Sequence, residues 1–228
     1  MAQVASRATV ARTHPAREGN REMPHDLFEI MRTTRSMRRL KPDPIPNELL
    51  TQVLEAGTFA ANAGNMQSWR FLVIRDQGIK DAVAVWYRRA WHEVVGPRYR
   101  AGGPAPGTTP ERFSRMLSAA EYLADHFHEA PVWIVPCQAG PRGPGASIFP
   151  AVQNMLLAAR ALGLGATLTT LYLIHEKDAE AAMGLPEGVH SYAVLPLGFP
   201  MGKFGPVGRA PLTEAVFAEK WGQAWRAG

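Results

Sequence analysis

Cysteine is all but absent: Cys137 stands alone in 228 residues. A single thiol excludes an intrachain disulfide framework, Cys-rich metal sites and redox pairs, and a reducing cytoplasm fits that usage best. Long apolar runs are missing too. None approaches the roughly 20 residues that a membrane helix needs, so the chain reads as soluble, with no membrane partner. Nor is the charge lopsided. Lys and Arg total 25 against 20 Asp and Glu, a net charge of +5 with a pI near 9.7. That balance permits anionic partners but supplies no Lys-rich tail of the kind that grips nucleic acid. Apolar residues at 46% and charged residues at 20% are ordinary for a globular chain of this length, and one domain is expected.

Large apolar side chains are almost missing from residues 1–22, which carry Arg7, Arg12, Arg17 and Arg21. This segment cannot bury enough surface to fold alone. Arg-rich and acid-poor, it resembles an organellar transit peptide; the plainer reading is a disordered arm, or an upstream start with Met23 as the effective first residue. From residue 23 onward the pattern is that of one folded domain.

Helical spacing predicts a helix over 24–34 and a second from Asn47, as N-cap, to about 61, buried through Leu49, Leu50, Val53 and Leu54. "WRFLVI" at 69–74 and "PVWIVPC" at 131–137 read as strands, the second apolar enough to be central. Helices are expected at 78–95 and 110–128, separated by the Gly/Pro-rich "GPRYRAGGPAPGTTP", read as a mobile surface segment. The clearest helix spans 147–162 and is stopped by Gly163. Strands at 166–172 and 189–198, a short helix between them and an amphipathic tail complete the chain. Paired helices between strands, not regular alternation, predict an α+β fold around one sheet.

Several motifs carry little chemistry. "GLG" at 163–165 is an incomplete dinucleotide loop that follows a helix, and a helix C-cap explains it. His126 and His128 are two apart on a predicted helix and do not share a metal-binding face. Ser114, Ser118 and Ser147 lack a nucleophile elbow, and Cys137 lies within a predicted strand. Two stretches stand out. In "MRTTRSMRRLKP", Arg35, Ser36 and Arg38 combine guanidinium forks with a hydroxyl, donors suited to phosphate and heterocyclic oxygens. In "FAANAGNMQSWRF", Asn62, Asn65 and Gln67 crowd a turn between helix and strand, and three amides there invite a ligand with several polar edges. On residues alone a phosphate pocket, a nucleic-acid hook and a solvated face all remain open.

The chain resembles the FMN-dependent nitroreductases. "RSMRRLKPDPIPNELL" and "AANAGNMQSWRF" stand at the spacing of the family's Arg-Ser-x-Arg opening and its Ala-Pro-Ser-x-x-Asn-x-Gln-Pro-Trp-x-Phe turn. "FPAVQNMLLAARALGLGATLTTLYL" is similar to the family's central dimerisation helix and following strand, and "LPLGFPMGKFGPVGRAPLTEAV" to its closing Arg-x-x-Leu segment. The resemblance covers about residues 25–217, with a variable cover region at 96–128. Ala-Ala-Asn at 60–62 and Gln-Ser-Trp at 67–69 depart from the pattern, and a further flavin contact after the first strand has no match except Arg98 or Arg100.

What the resemblance implies is a nitroreductase-like homodimer with a central, mainly antiparallel sheet flanked by helices and FMN at the subunit interface. Arg35 and Ser36 would bind the phosphate and ribityl region, and Arg209 would be a second phosphate ligand. Arg38 would reach the ribityl chain or the ring edge where reduction leaves negative charge. Asn62, Asn65 and Gln67 would approach the flavin from the neighbouring subunit, and Thr169, Thr170 and Leu171 would lie against the ring near N5. Arg32, Arg39 and Lys41 are left as solvated surface. The implied activity is ping-pong hydride transfer from NADH or NADPH to an electron-poor small molecule such as a nitroaromatic or quinone. Relatives with the same framework dehalogenate, dehydrogenate or destroy the flavin with oxygen, so these remain alternatives. A colourless nucleic-acid-binding module is the remote one.

Overall fold

The computed structural model describes residues 26–225 apart from Pro106. The arm expected at 1–22 lies outside them. The sheet is built on β2 (Val132–Ala139), whose apolar run needs cover on both faces. It pairs antiparallel with β1 (Trp69–Ile74) along one edge, from Trp69 opposite Gln138 to Ile74 opposite Trp133. Along its other edge lie β4 (Val189–Ser191) and β5 (Leu195–Gly198), and β5 passes the sheet on to the two-residue β3 (Gly165–Ala166), all antiparallel. β4 and β5 are one strand interrupted at Tyr192–Val194. Tyr192 donates its N–H to the Pro136 carbonyl, so Pro136 faces that edge, and its ring has no N–H to return.

Alternation along β2 distributes its side chains to two cores. Val132 and Ile134 point to the layer of α2 (Asn47–Thr58) and α6 (Ile148–Ala161), with Val53, Val152 and Met155. Trp133, Val135 and Cys137 point to the opposite layer, with Val83 and Tyr87 of α3 (Gln77–Arg89), Leu123 of α5 (Pro110–His126) and Ala179 of α7 (Glu176–Ala182). The α+β expectation therefore holds, as helix, sheet and helix layers. No helix among the described residues is long and apolar enough to cross a membrane.

Local departures have physical reasons. α1 spans Leu27–Thr33, ending where Thr33 and Thr34 hydroxyls bond back to the Glu29 and Ile30 carbonyls at 2.7 Å. Asn47 is not the N-cap of α2. Pro46 flanks the helix, and the Asn47 side chain accepts from Arg75 Nη1 at 2.8 Å. The helix expected over 78–95 is α3 followed by a π-helical segment, Ala90–Val95, which runs on into α4 (Gly96–Gly102). Residues 96–102 are thus helical: Pro97 sits in the first turn, where a missing N–H costs nothing. The strand expected at 166–172 shrinks to β3 and a bridge between Thr169 and Val194, because Leu171–His175 winds into a 3₁₀ turn. The tail forms a short turn at Leu212–Glu214 and a bridge from Phe217 to Ala224 instead of an amphipathic helix.

Cys137 is buried, and burial, with Glu180 adding to it, pushes its thiol up to about 12. At pH 8 it should not react with a disulfide reagent in the folded protein but should titrate fully in urea. Prompt reaction of the native protein would contradict its position in the core.

Candidate functional site

The Arg-rich segment leaves α1 extended and is laid onto the far edge of the sheet. Met37 N–H donates to the Ala166 carbonyl at 2.9 Å, Lys41 N–H to Phe199 O at 2.8 Å, and Met201 N–H to Arg39 O at 3.0 Å. Met37 and Leu40 turn inward and are buried, which sends Arg35, Ser36 and Arg39 to the surface and leaves Arg38 half-buried. Two glycines make the shelf. Gly165 and Gly198 face each other across β3 and β5, and a Cβ on either would press on Leu40. Arg39 is more than solvated charge, since it donates to Ser118 Oγ at 3.2 Å and lies 4.3 Å from the centre of the Tyr122 ring, holding α5 over the segment.

Arg38 is the unusual member. Burial is the main cause that lowers its guanidinium from the usual value; Tyr87 and Tyr99 nearby oppose the shift, and Arg35 adds to it by repulsion. No carboxylate or hydrogen-bond partner meets Arg38 among the described residues. Its neighbour Tyr87 carries a hydroxyl 2.9 Å from Thr169 Oγ1, so Arg38, Tyr87 and Thr169 come together. Thr169 is half-buried, Thr170 exposed, and Leu171 packs against the Tyr87 side of the core. Arg35 and Ser36 also lack partners among the described residues. Arg209 is exposed and, among the described residues, bonds only the carbonyl of Gly208 next to it, at 2.8 Å. Val207 N–H donates to Arg32 O at 3.1 Å, which keeps that closing segment at the α1 end of the site. Arg100 is paired with Glu121 at 2.6 Å.

The amide turn lies elsewhere. Gly64, Asn65 and Gln67 all have positive φ, a conformation that costs a non-glycine residue about a kcal/mol or more and clusters at functional sites. Asn62 Oδ1 accepts from Gln67 N–H at 2.9 Å, Gln67 Nε2 donates to Asn65 Oδ1 at 3.3 Å, and Ala63 N–H donates to Ser147 Oγ at 3.2 Å. The three side chains are bonded within the turn, Asn62 to backbone groups and Gln67 to Asn65, with Asn65 and Gln67 exposed and Asn62 half-buried. Among the described residues of one chain, no hydrogen bond joins the turn to Arg38 or Thr169.

Tyr87 is the residue that motif spacing does not find. Its signal was weak but present: it falls four residues after Val83 on the buried face of α3, and a buried tyrosine must find a partner for its hydroxyl.

The profile of the Nitroreductase family matches residues 31–202. A protein of Methanothermobacter thermautotrophicus named "Putative NADH dehydrogenase/NAD(P)H nitroreductase" is 26% identical over 177 residues, 77% of this chain and 78% of its own length. The iodotyrosine deiodinase of Thermotoga neapolitana is also 26% identical, over 180 residues, 76% of this chain and 88% of its own. Among solved structures, one from Desulfovibrio desulfuricans in complex with FMN is similar with a TM-score of 0.64 and 25% identity, covering 86% of this chain and 98% of that one.

Proposed function

The chain belongs to the nitroreductase family, and from that premise we propose that it is an FMN-dependent oxidoreductase drawing reducing equivalents from NADH or NADPH. One observation carries the fit: the half-buried Arg38 guanidinium, without an anionic partner among the described residues, beside Tyr87 and Thr169. Arg35 and Arg209, likewise without acid partners there, add donors suited to a phosphate. When bound, FMN supplies the redox chemistry, passing a hydride from the nicotinamide to an electron-poor acceptor such as a nitroaromatic or quinone.

In this reading Arg35, Ser36 and Arg209 hold the phosphate and ribityl chain. Arg38 places a fixed positive charge at the ring edge, where it favours the electron-rich state in a site poor in water. Thr169, Thr170 and Leu171 lie along the ring. Asn62, Asn65 and Gln67 serve the site of a second copy, since their turn lies apart from the arginines of its own chain. A homodimer is supported further by exposed apolar side chains: Leu27 and Phe28 on α1, Met66 in the turn, and Leu212 and Trp221 in the tail. α6 contributes less than its composition suggested, because Val152, Met155 and Ala159 are buried in its own chain and Phe149, the most exposed of its large apolar side chains, is only 37% exposed.

Purified protein should show a visible flavin spectrum and release FMN on denaturation, and gel filtration should give a dimer. Colourless protein that takes up no added FMN would reject the reading, and a stable FMN-bound monomer would reject the shared site. A second reading changes only the acceptor, to a halogenated phenol, and is favoured by the deiodinase relative standing at the same identity as the nitroreductase one. Turnover of an iodinated phenol against a nitroaromatic and a quinone, with each nicotinamide, separates the two.

A further inference from the structure

Tyr87 belongs to none of the motifs that align with the family, yet it touches the site at its most constrained point. Its ring stacks on Phe127 with centroids 4.0 Å apart and planes 15° from parallel, and Phe127 stacks on Trp133 at 4.2 Å. All three side chains are buried. The stack fixes the phenol, and the phenol fixes Thr169: the two hydroxyl oxygens are 2.9 Å apart, and neither has another hydrogen-bond partner among the described residues.

Two hydroxyls facing each other share one hydrogen, and the other is free to point away. A phenol is a far stronger acid than an alkyl alcohol and so the better donor, which makes Thr169 Oγ1 the acceptor and leaves the Thr169 hydrogen for something else. Burial also pushes the Tyr87 phenol up to about 12, so it keeps its proton, and its role as donor, at any ordinary pH. Thr169 is half-buried, Tyr87 is the neighbour it shares with Arg38, and no protein acceptor for its hydrogen is found among the described residues.

We infer that Tyr87 is a positioning residue of the cofactor site: by donating to Thr169 Oγ1 it aims the Thr169 hydroxyl hydrogen at an acceptor on the edge of the bound flavin ring. The inference rests on the reading of this site as an FMN site. It gives Thr169 a defined donor direction and makes that direction depend on a residue in α3, outside the matched motifs.

Tyr87→Phe removes a single oxygen and keeps the stack. With Thr169→Val and the double variant it forms a cycle, read by FMN dissociation constant, flavin reduction potential, and the rate and KM of flavin reduction by NADPH. Tyr87→Phe should unfold no more than about 2–4 °C below wild type, change the potential and slow flavin reduction about tenfold at unchanged KM, the size of one directed hydrogen bond. Thr169→Val should change the potential and rate in the same way while also losing stability through the buried Tyr87 hydroxyl it leaves unpaired, and the double variant should be no worse in potential or rate than Thr169→Val alone. Additive losses, or a Tyr87→Phe protein that unfolds earlier but has the wild-type potential and rate, would leave Tyr87 a core residue and overturn the inference. Wild-type protein that takes up no FMN would overturn the site reading with it, whereas wild-type uptake with an unaffected Tyr87→Phe would sink this inference alone.

Discussion

Replacing Arg38 by methionine should stabilise the flavin-free protein and weaken its hold on FMN. The two effects have one cause. Methionine keeps an unbranched apolar stem to pack where the arginine methylenes lie, and removes only the charged head. In the free protein that head is half-buried, pulled down by burial, repelled by Arg35 and without a counter-ion among the described residues. A charge in that position costs solvation without a compensating pair. Its removal is expected to add about 1 kcal/mol to stability, within the range of ordinary stabilising substitutions, and to raise the unfolding midpoint by about 2–4 °C for a chain of this size. With FMN the balance reverses. A charge-assisted hydrogen bond is worth roughly 1.5–3 kcal/mol, so the dissociation constant should rise roughly 10- to 150-fold. Thermal unfolding with and without FMN, beside fluorescence titration of the cofactor, reads both. Lys41→Ala is the control: Lys41 is exposed on the same segment, and its removal should change neither quantity. An Arg38→Met protein that binds FMN as tightly as wild type, or is less stable without it, would return the cluster to the status of surface charge.

That opposition between stability and binding explains why part of the site was legible in the sequence. A run holding Arg35, Arg38, Arg39 and Lys41 where a helix ends conflicts with ordinary economy of charge, and such local conflicts mark function. β1 and β2 were readable for the opposite reason. Short apolar runs bounded by turn residues agree with their burial, and the helix expected at 147–162 is α6 at 148–161 to within a residue at each end. What stayed hidden depended on pairing across the chain. Nothing local in "ATLTTLYL" says that its ladder stops after Ala166, because the competing 3₁₀ turn at Leu171–His175 is decided by packing against the π-helical segment and α3. Tyr87 was hidden because its periodicity marks it correctly as core; only the 2.9 Å contact with Thr169, 82 residues away, links it to the candidate site.

The "GLG" at 163–165 shows both kinds of legibility in three residues, and it yields the sharpest steric prediction. Gly163 is at φ +76° with nothing within 4 Å of a built Cβ; it ends α6, as the sequence suggested. Gly165 is different. A Cβ there would lie 2.9 Å from both Met37 Cβ and Leu40 Cδ2, and 3.2 Å from Pro200 Cβ. Leu40 can rotate a methyl aside, but Met37 Cβ is fixed to its backbone, so that backbone must move. Its N–H holds the Ala166 carbonyl, and the next residue is Arg38. Gly165→Val therefore sets two effects against each other. β-propensity favours valine by up to about 1 kcal/mol, while overpacking costs typically 1–3 kcal/mol. Because the obstruction is backbone-linked on one side and the opposite strand offers Gly198, itself crowded by Leu40 and Pro131, steric cost should prevail. The variant should lose about 1–2 kcal/mol of stability in urea, and its affinity for FMN should fall at least tenfold as Arg38 is carried away from Tyr87 and Thr169. Gly163→Ala separates the causes: it should lose about 1 kcal/mol from its positive φ alone, with FMN affinity unchanged. If Gly165→Val instead held FMN as well as Gly163→Ala does, the shelf formed by Gly165 and Gly198 would not be what places the arginines.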